Sequence, residues 1–214
     1  MPESPRVLSA VAATDPAAVP DMPGRCPWAE GDPLMAAYHD EEWGVPLVDR
    51  RRTFEFLVLE TFQAGLSWRV VLHKREAFRR AFAGFDPEAV AAFGPDRIEA
   101  LMTDASLIRN RAKLNATVAN ARAFLAMEES GPGFVAHAWS FVGGGPIVHR
   151  YERLDQVPST TPEAQAWSRD LKRRGFIFVG PTVAYAHMQA TGMVNDHLVS
   201  CPRHAAVAAA GAAP

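Results

Sequence analysis

Asp96-Arg97-Ile98-Glu99-Ala100-Leu101-Met102-Thr103-Asp104-Ala105-Ser106-Leu107-Ile108-Arg109-Asn110-Arg111-Ala112-Lys113-Leu114 is the stretch on which the fold class turns. Ile98, Leu101 and Met102 recur at helical spacing before a short interruption, and Leu114, Val118, Ala121 and Leu125 recur after it. The connector, residues 104–109, is too short for anything but a tight turn between two helices, a helix-hairpin-helix arrangement over about residues 96–129.

Helical periodicity continues on both sides. Thr53 reads as the N-cap of a helix carrying Phe54, Leu57, Val58 and Phe62, which the Ala64-Gly65 step ends. Residues 68–82 place Val71, Phe78 and Phe82 on one side and basic residues on the others. Asp86-Pro87-Glu88 is an N-cap, first-position and first-turn signature for a short helix that stops at Gly94-Pro95. Further helices are predicted over residues 134–141, 162–174 and 181–190, separated by the loops 143–146 and 158–161. No sustained two-residue alternation and no internal repeat is present, so the fold class is all-α.

The chain has 214 residues, 48% hydrophobic and 21% charged, enough to bury a substantial core. No run of eighteen apolar residues occurs, so no membrane span or membrane partner is expected. The first 23 residues lack a basic segment ahead of a long apolar one, so no signal peptide is expected, and the cytoplasm is the default location. That segment and residues 205–214 lack the apolar bulk to offset ordering entropy and are expected to be disordered, leaving a domain over residues 24–204.

The net charge of −2 does not advertise a nucleic-acid partner, and removing the acidic first 23 residues leaves the remainder neutral. Charge within it is uneven: residues 68–80 and 109–122 each carry a local excess of four positive charges. Two solvated helix faces and two phosphate contacts both account for that.

Only two cysteines occur, Cys26 and Cys201, and each has a histidine nearby: His39 thirteen positions after the first, His197 four positions before the second. The second pair has the spacing of one helical face. Spacing alone leaves two readings open, a closed tetrahedral zinc set with no position for an activated water, or two buried apolar cysteines. A metal here would be structural and would clip the two ends of the domain together.

Tyr38-His39-Asp40-Glu41-Glu42-Trp43-Gly44-Val45-Pro46, Gln63-Ala64-Gly65-Leu66-Ser67-Trp68, Lys172-Arg173-Arg174-Gly175-Phe176 and Gly192-Met193-Val194-Asn195-Asp196-His197 together resemble the type I 3-methyladenine DNA glycosylases, over about residues 25–201. The resemblance implies a helix-hairpin-helix glycosylase with a structural Zn2+ on Cys26, His39, His197 and Cys201. It implies a base pocket formed by Glu60 as the contacting carboxylate and by Tyr38 and Trp68 as aromatic walls, with Trp43 nearby. On composition alone Glu60 is either exposed at the edge of an apolar stripe or held for binding.

The implied hairpin covers residues 105–109, so Ser106 and Arg109, followed by Arg111 and Lys113, are expected at DNA phosphates. Leu66 is expected as the wedge that fills the gap left by a flipped base, simple burial being its alternative. No aspartate occurs between Asp104 and Asp155, and the resembling family shares that lack, which implies a reaction resting on leaving-group selection. The expected partner is double-stranded alkylated DNA, acted on by a monomer. Two departures stand out: Met35 where some relatives carry tyrosine, and Ser106 where a hairpin glycine is common. The competing reading is a zinc-stapled helical DNA-binding module without catalysis, which would not need Glu60, Tyr38 and Trp68 together.

Overall fold

A computed structural model describes residues 22–210. Among them are eleven α-helices: α1 (Pro33–Glu41), α2 (Arg50–Gln63), α3 (Trp68–His73), α4 (Arg75–Ala81), α5 (Pro87–Ala91), α6 (Pro95–Thr103), α7 (Arg111–Ser130), α8 (Gly133–Ser140), α9 (Pro162–Arg173), α10 (Pro181–Ala190) and α11 (Pro202–Ala210). The starts follow from capping chemistry. Asp32, Asp49, Asp86, Asn110 and Thr161 each accept a hydrogen bond from a first-turn amide. Proline opens α1, α5, α6, α9 and α10, where the missing N–H costs nothing.

The centre of the molecule is α2, whose Phe54, Phe56, Leu57, Val58, Leu59 and Phe62 are all within 1% of full burial. It packs against α3, α7, α8 and α10. From Thr53 to Phe62 the helix is buried on every side, Glu55 and Glu60 included, which places it in the core rather than at the surface. Aromatic pairs tie the layers together, Phe62 to Phe78 at 4.6 Å and Phe124 to Phe134 at 4.7 Å between ring centroids.

Several sequence expectations change. Helix α2 starts three residues before the predicted cap: Asp49 accepts from the Arg52 amide at 2.8 Å, and Thr53 is buried inside the helix. A charged acceptor ahead of three arginines outcompetes threonine here. Residues 68–82 form two helices, because Lys74 leaves the helical region at φ −100°, ψ 0°. A two-residue parallel pairing, Ile147–Val148 (β1) with Val194–Asn195 (β2), is present, too short for alternation to announce it. The alanine-rich segment expected to be disordered from Ala205 is helical to Ala210, with Val207 3% exposed against the body of the protein. The expected disorder of residues 1–21 and 211–214 lies outside the described residues.

One glycine positions the site. A Cβ on Gly192, at φ +70°, would lie 2.4 Å from the Pro46 nitrogen and the Val45 carbonyl carbon. Only glycine lets the segment 44–47 lie flat here, where the Gly44 amide donates to the Gln189 carbonyl at 3.0 Å and the Leu47 amide to the Thr191 carbonyl at 3.0 Å. This brings the segment after α1 against the end of α10.

Candidate functional site: a carboxyl-floored aromatic cavity beside a Cys2His2 cluster

The side chains predicted far apart in sequence meet in two adjoining places. In the first, the donor atoms of Cys26, His39, His197 and Cys201 all lie within 4.8 Å of one another, and all four residues are buried. Cys26 Sγ and Cys201 Sγ each stand 3.8 Å from His197 Nδ1, Cys201 Sγ stands 3.7 Å from His39 Nε2, and the two imidazole nitrogens are 3.1 Å apart. Metal–sulfur bonds of about 2.3 Å and metal–nitrogen bonds of about 2.0 Å give a tetrahedron with edges of roughly 3.3 to 3.8 Å. The donors therefore already stand close to its corners.

The surroundings fix the tautomers that such a site needs. His39 Nδ1 donates to Asp40 at 2.7 Å, freeing Nε2 as a donor atom, and His197 Nε2 donates to the Trp43 carbonyl at 3.0 Å, freeing Nδ1. Arg25 in turn holds Asp40 through two hydrogen bonds of 3.0 and 2.6 Å. Burial opposes the Asp40 charge, but Arg25 and His39 outweigh it and keep the carboxyl below its ordinary range. The Cys201 thiol is likewise held far below the usual thiol range, first by hydrogen bonding with Cys26 and then, against burial, by the two imidazoles. His197 and Cys201 are not on a helical face as their spacing suggested: they lie in the turn between β2 and α11.

In the second place, a cavity of about 590 Å³ is lined by Trp28, Met35, Tyr38, Trp43, Glu60, Trp68, Gln189 and Asp196, among others. Tyr38 and Trp68 face each other with ring centroids 5.0 Å apart and planes at 44°. Trp43 meets Trp28 edge-on at 5.0 Å and His197 at 4.7 Å, so the same indole walls the cavity and covers the Cys2His2 cluster. Glu60, from the last turns of α2, is 3% exposed, and its Oε2 has no hydrogen-bond partner among the described residues. Nor has the buried indole nitrogen of Trp68. Burial pushes the Glu60 carboxyl up to about 8. Burial also raises the Tyr38 phenol, with nearby Glu60 contributing next. Buried polar atoms normally find partners, so an unpaired carboxyl oxygen and indole N–H on one aromatic cavity point to an absent planar ligand.

Asp196, the other carboxylate on the cavity, is saturated: it accepts from His149 at 2.6 Å, Tyr185 at 2.5 Å and Gln189 at 2.7 Å. Sequence reading missed Trp28, Gln189 and Asp196. Asp196 sat within a quoted motif, and Trp28 two positions beyond Cys26, but nothing in spacing distinguishes their walls from ordinary core.

The expected DNA contacts are placed unevenly. Leu66 is 42% exposed in the α2–α3 turn, so simple burial does not explain it. Arg109 is exposed in the connector between α6 and α7. Arg111 is exposed and paired with Glu99 at 2.8 Å. Both the amide and the hydroxyl of Ser106 donate to Asp104, at 2.8 and 2.6 Å, so this hairpin amide is used within its own turn. Lys113 is a correction: it is 6% exposed, and Nζ donates to the Phe62 and Ala64 carbonyls at 2.9 and 2.6 Å. It satisfies the free carbonyls at the end of α2 rather than meeting solvent. The excess charge of residues 68–80 is also largely answered, Arg69 by Asp32, Arg75 by Glu42 and Glu55, and Arg79 by Glu55.

An all-α body with a Cys2His2 clip and an aromatic cavity lined by a buried, raised carboxyl whose Oε2 lacks a partner among the described residues defines a binder of flat, hydrogen-bonding or cationic heterocycles. The comparisons with known proteins make the class specific. The profile of the family described as Methyladenine glycosylase matches residues 28–204. DNA-3-methyladenine glycosylase 1 of Escherichia coli K12 is 50% identical over 177 residues, 83% of this chain and 95% of the relative. A crystal structure of 3-methyladenine DNA glycosylase I superposes with a TM-score of 0.82 at 49% identity, covering 83% of this chain and 98% of that one. A variant of 3-methyladenine DNA glycosylase I solved in complex with 3-methyladenine superposes with a TM-score of 0.81 at 37% identity, covering 84% and 96%. The chain belongs to the methyladenine glycosylase family.

Proposed function

We propose that this protein is a monofunctional DNA glycosylase that flips 3-methyladenine out of alkylated duplex DNA and hydrolyses its N-glycosidic bond, initiating base excision repair. The observation that carries the reading is Glu60: a buried carboxyl without a partner for Oε2, on an aromatic cavity, in a chain half identical to a named 3-methyladenine glycosylase.

The chemistry follows from the base. Methylation at N3 places a positive charge on adenine, so breaking the bond to the sugar C1′ returns the bonding electrons to the ring and neutralises it. The sugar cation is captured by water, which loses a proton, leaving an abasic site. Little acid catalysis is needed. The pocket's task is selection: Tyr38, Trp68 and Trp43 offer ring faces to a cation, each such contact contributing roughly 0.5 to 2 kcal/mol. Glu60 ionises more readily once a cation displaces its desolvation, and either protonation state can meet a base edge. Extrusion of a damaged base costs a few kcal/mol, less than for a sound pair, and Leu66 would occupy the gap.

Helices α6 and α7 with their connector serve as the helix-hairpin-helix that grips the phosphodiester backbone, with exposed Arg109 and Arg111 beside it. The Cys2His2 cluster would hold Zn2+, which would supply only crosslinking, because four protein donors leave no open position. Incubation with methylated DNA and chromatography of the released bases tests the proposal: 3-methyladenine should appear with the intact protein, and far more slowly with Glu60→Gln or Trp68→Ala.

A further inference from the structure

Residues 176–179 present an unusual arrangement. Phe176 and Val179 are buried at 4% and 1% exposure, whereas Ile177 and Phe178 between them are 45% and 39% exposed. Phe178 takes φ +58°, a region that disfavours bulky L-residues. The backbone is nevertheless held rigidly. The fully buried Asn120 donates through Nδ2 to the Ile177 carbonyl at 3.0 Å and accepts from the Ile177 amide at 2.7 Å. Ser168 Oγ donates to the Val179 carbonyl at 2.6 Å. Among the described residues nothing covers the two apolar side chains that this clamp holds out, and strained, over-determined backbone of this kind is commonly kept for contact with a ligand.

The clamp also places them. Asn120 lies seven residues after Lys113 on α7, two helical turns along the same face. Lys113 holds the α2–α3 turn that carries exposed Leu66. The anchors of the two apolar projections, Lys113 and Asn120, thus share one face of one helix, about 10 Å apart along its axis at 1.5 Å per residue. Exposed Lys172, Arg173 and Arg174 precede the loop, with Asp170 the one acid paired to the arginines, so the patch borders surplus positive charge.

We propose that the loop carrying Ile177 and Phe178 is a second apolar DNA contact, entering the duplex beside the Leu66 turn and holding it open while the base occupies the Glu60 cavity. This rests on the glycosylase reading, and duplex DNA is its partner rather than a second copy of the chain. The basic residues beside it suit phosphates.

The test uses Phe178→Ala and Phe178→Gly, a duplex with a tetrahydrofuran abasic analogue, and free 3-methyladenine. Both variants should bind the duplex about tenfold more weakly, the effect of losing one base–aromatic contact. Their affinity for free 3-methyladenine and their sedimentation should match the parent protein. Phe178→Gly should melt no lower, because glycine accepts the positive φ. Unchanged duplex affinity would overturn the proposal, as would a parent dimer that either variant dissociates without altering DNA binding. Failure of the parent protein to bind free 3-methyladenine would instead overturn the pocket reading.

Discussion

Lys113 Nζ donates to the Ala64 carbonyl at 2.6 Å, joining the first turn of α7 to the residue just past the end of α2. A second bond to the Phe62 carbonyl, 2.9 Å, makes the ammonium a cap for the central helix and a fixed base for the turn carrying Leu66. Lys113→Met should therefore lower stability by about 1 to 3 kcal/mol, the cost of two carbonyls losing a charged donor, as read from a denaturant melt. The same bonds bear on reaction type. A glycosylase that also cuts the strand needs a free lysine amine to attack the sugar carbon. Lys113 is engaged, Lys74 spends its ammonium on the Ser106 carbonyl at 2.8 Å, and the third lysine, Lys172, is exposed near the end of α9 and does not line the cavity. Borohydride added during turnover should trap no covalent adduct, and an adduct abolished by Lys113→Ala would refute a purely hydrolytic reaction.

The Glu60 carboxyl, raised by burial from 4.5 to about 8, predicts a pH dependence of the ligand-free protein. Between those values the folded state keeps a proton that the unfolded state has lost, so stability falls as pH rises across that window and levels off above it. The loss amounts to a few kcal/mol. Glu60→Gln should flatten this limb and melt above the parent near about pH 9, while releasing 3-methyladenine roughly 10- to 100-fold more slowly, the worth of a charge-assisted contact. A variant with the parent's pH profile would remove Glu60 from the unpaired, buried position assigned to it.

For the Cys2His2 cluster the expected result is about one zinc per chain by elemental analysis. Cys201→Ala should lose the metal and melt sharply lower, because binding free energy is folding free energy at such sites. Asp40→Asn keeps all four donors but weakens the hydrogen bond that orients His39, so zinc affinity should drop about 10- to 100-fold. Metal-free protein with an unchanged melting temperature would rule out the structural ion.

The helices were legible where chemistry is local. Asp86-Pro87 signals its helix without help from the rest of the chain, and α10 spans the predicted residues. What depends on partners remote in sequence was not legible. Lys113 reads as one of a run of cations, and only folding shows the α2 carbonyls beneath it. Thr53 is a good cap in isolation, but Asp49 is a better one four residues earlier. The alanine tail gains order from Val207 meeting the body of the protein. In the site, Tyr38, Glu60 and Trp68 came from resemblance, not periodicity, since a glutamate in an apolar helix has no local mark of being buried. Trp28 and Asp196 reach the cavity through the Cys26 and His197 ends of the clip, a closure that spacing alone left open.

The most direct measurement counts two products in one reaction: bases released from methylated duplex DNA, identified by chromatography, and abasic sites, revealed as strand breaks after alkali. The account predicts 3-methyladenine and abasic sites appearing at equal rates, with no breaks before alkali and both rates collapsing in Glu60→Gln. Protein that binds the methylated duplex but releases no base would contradict it and leave a DNA-binding module in place of an enzyme.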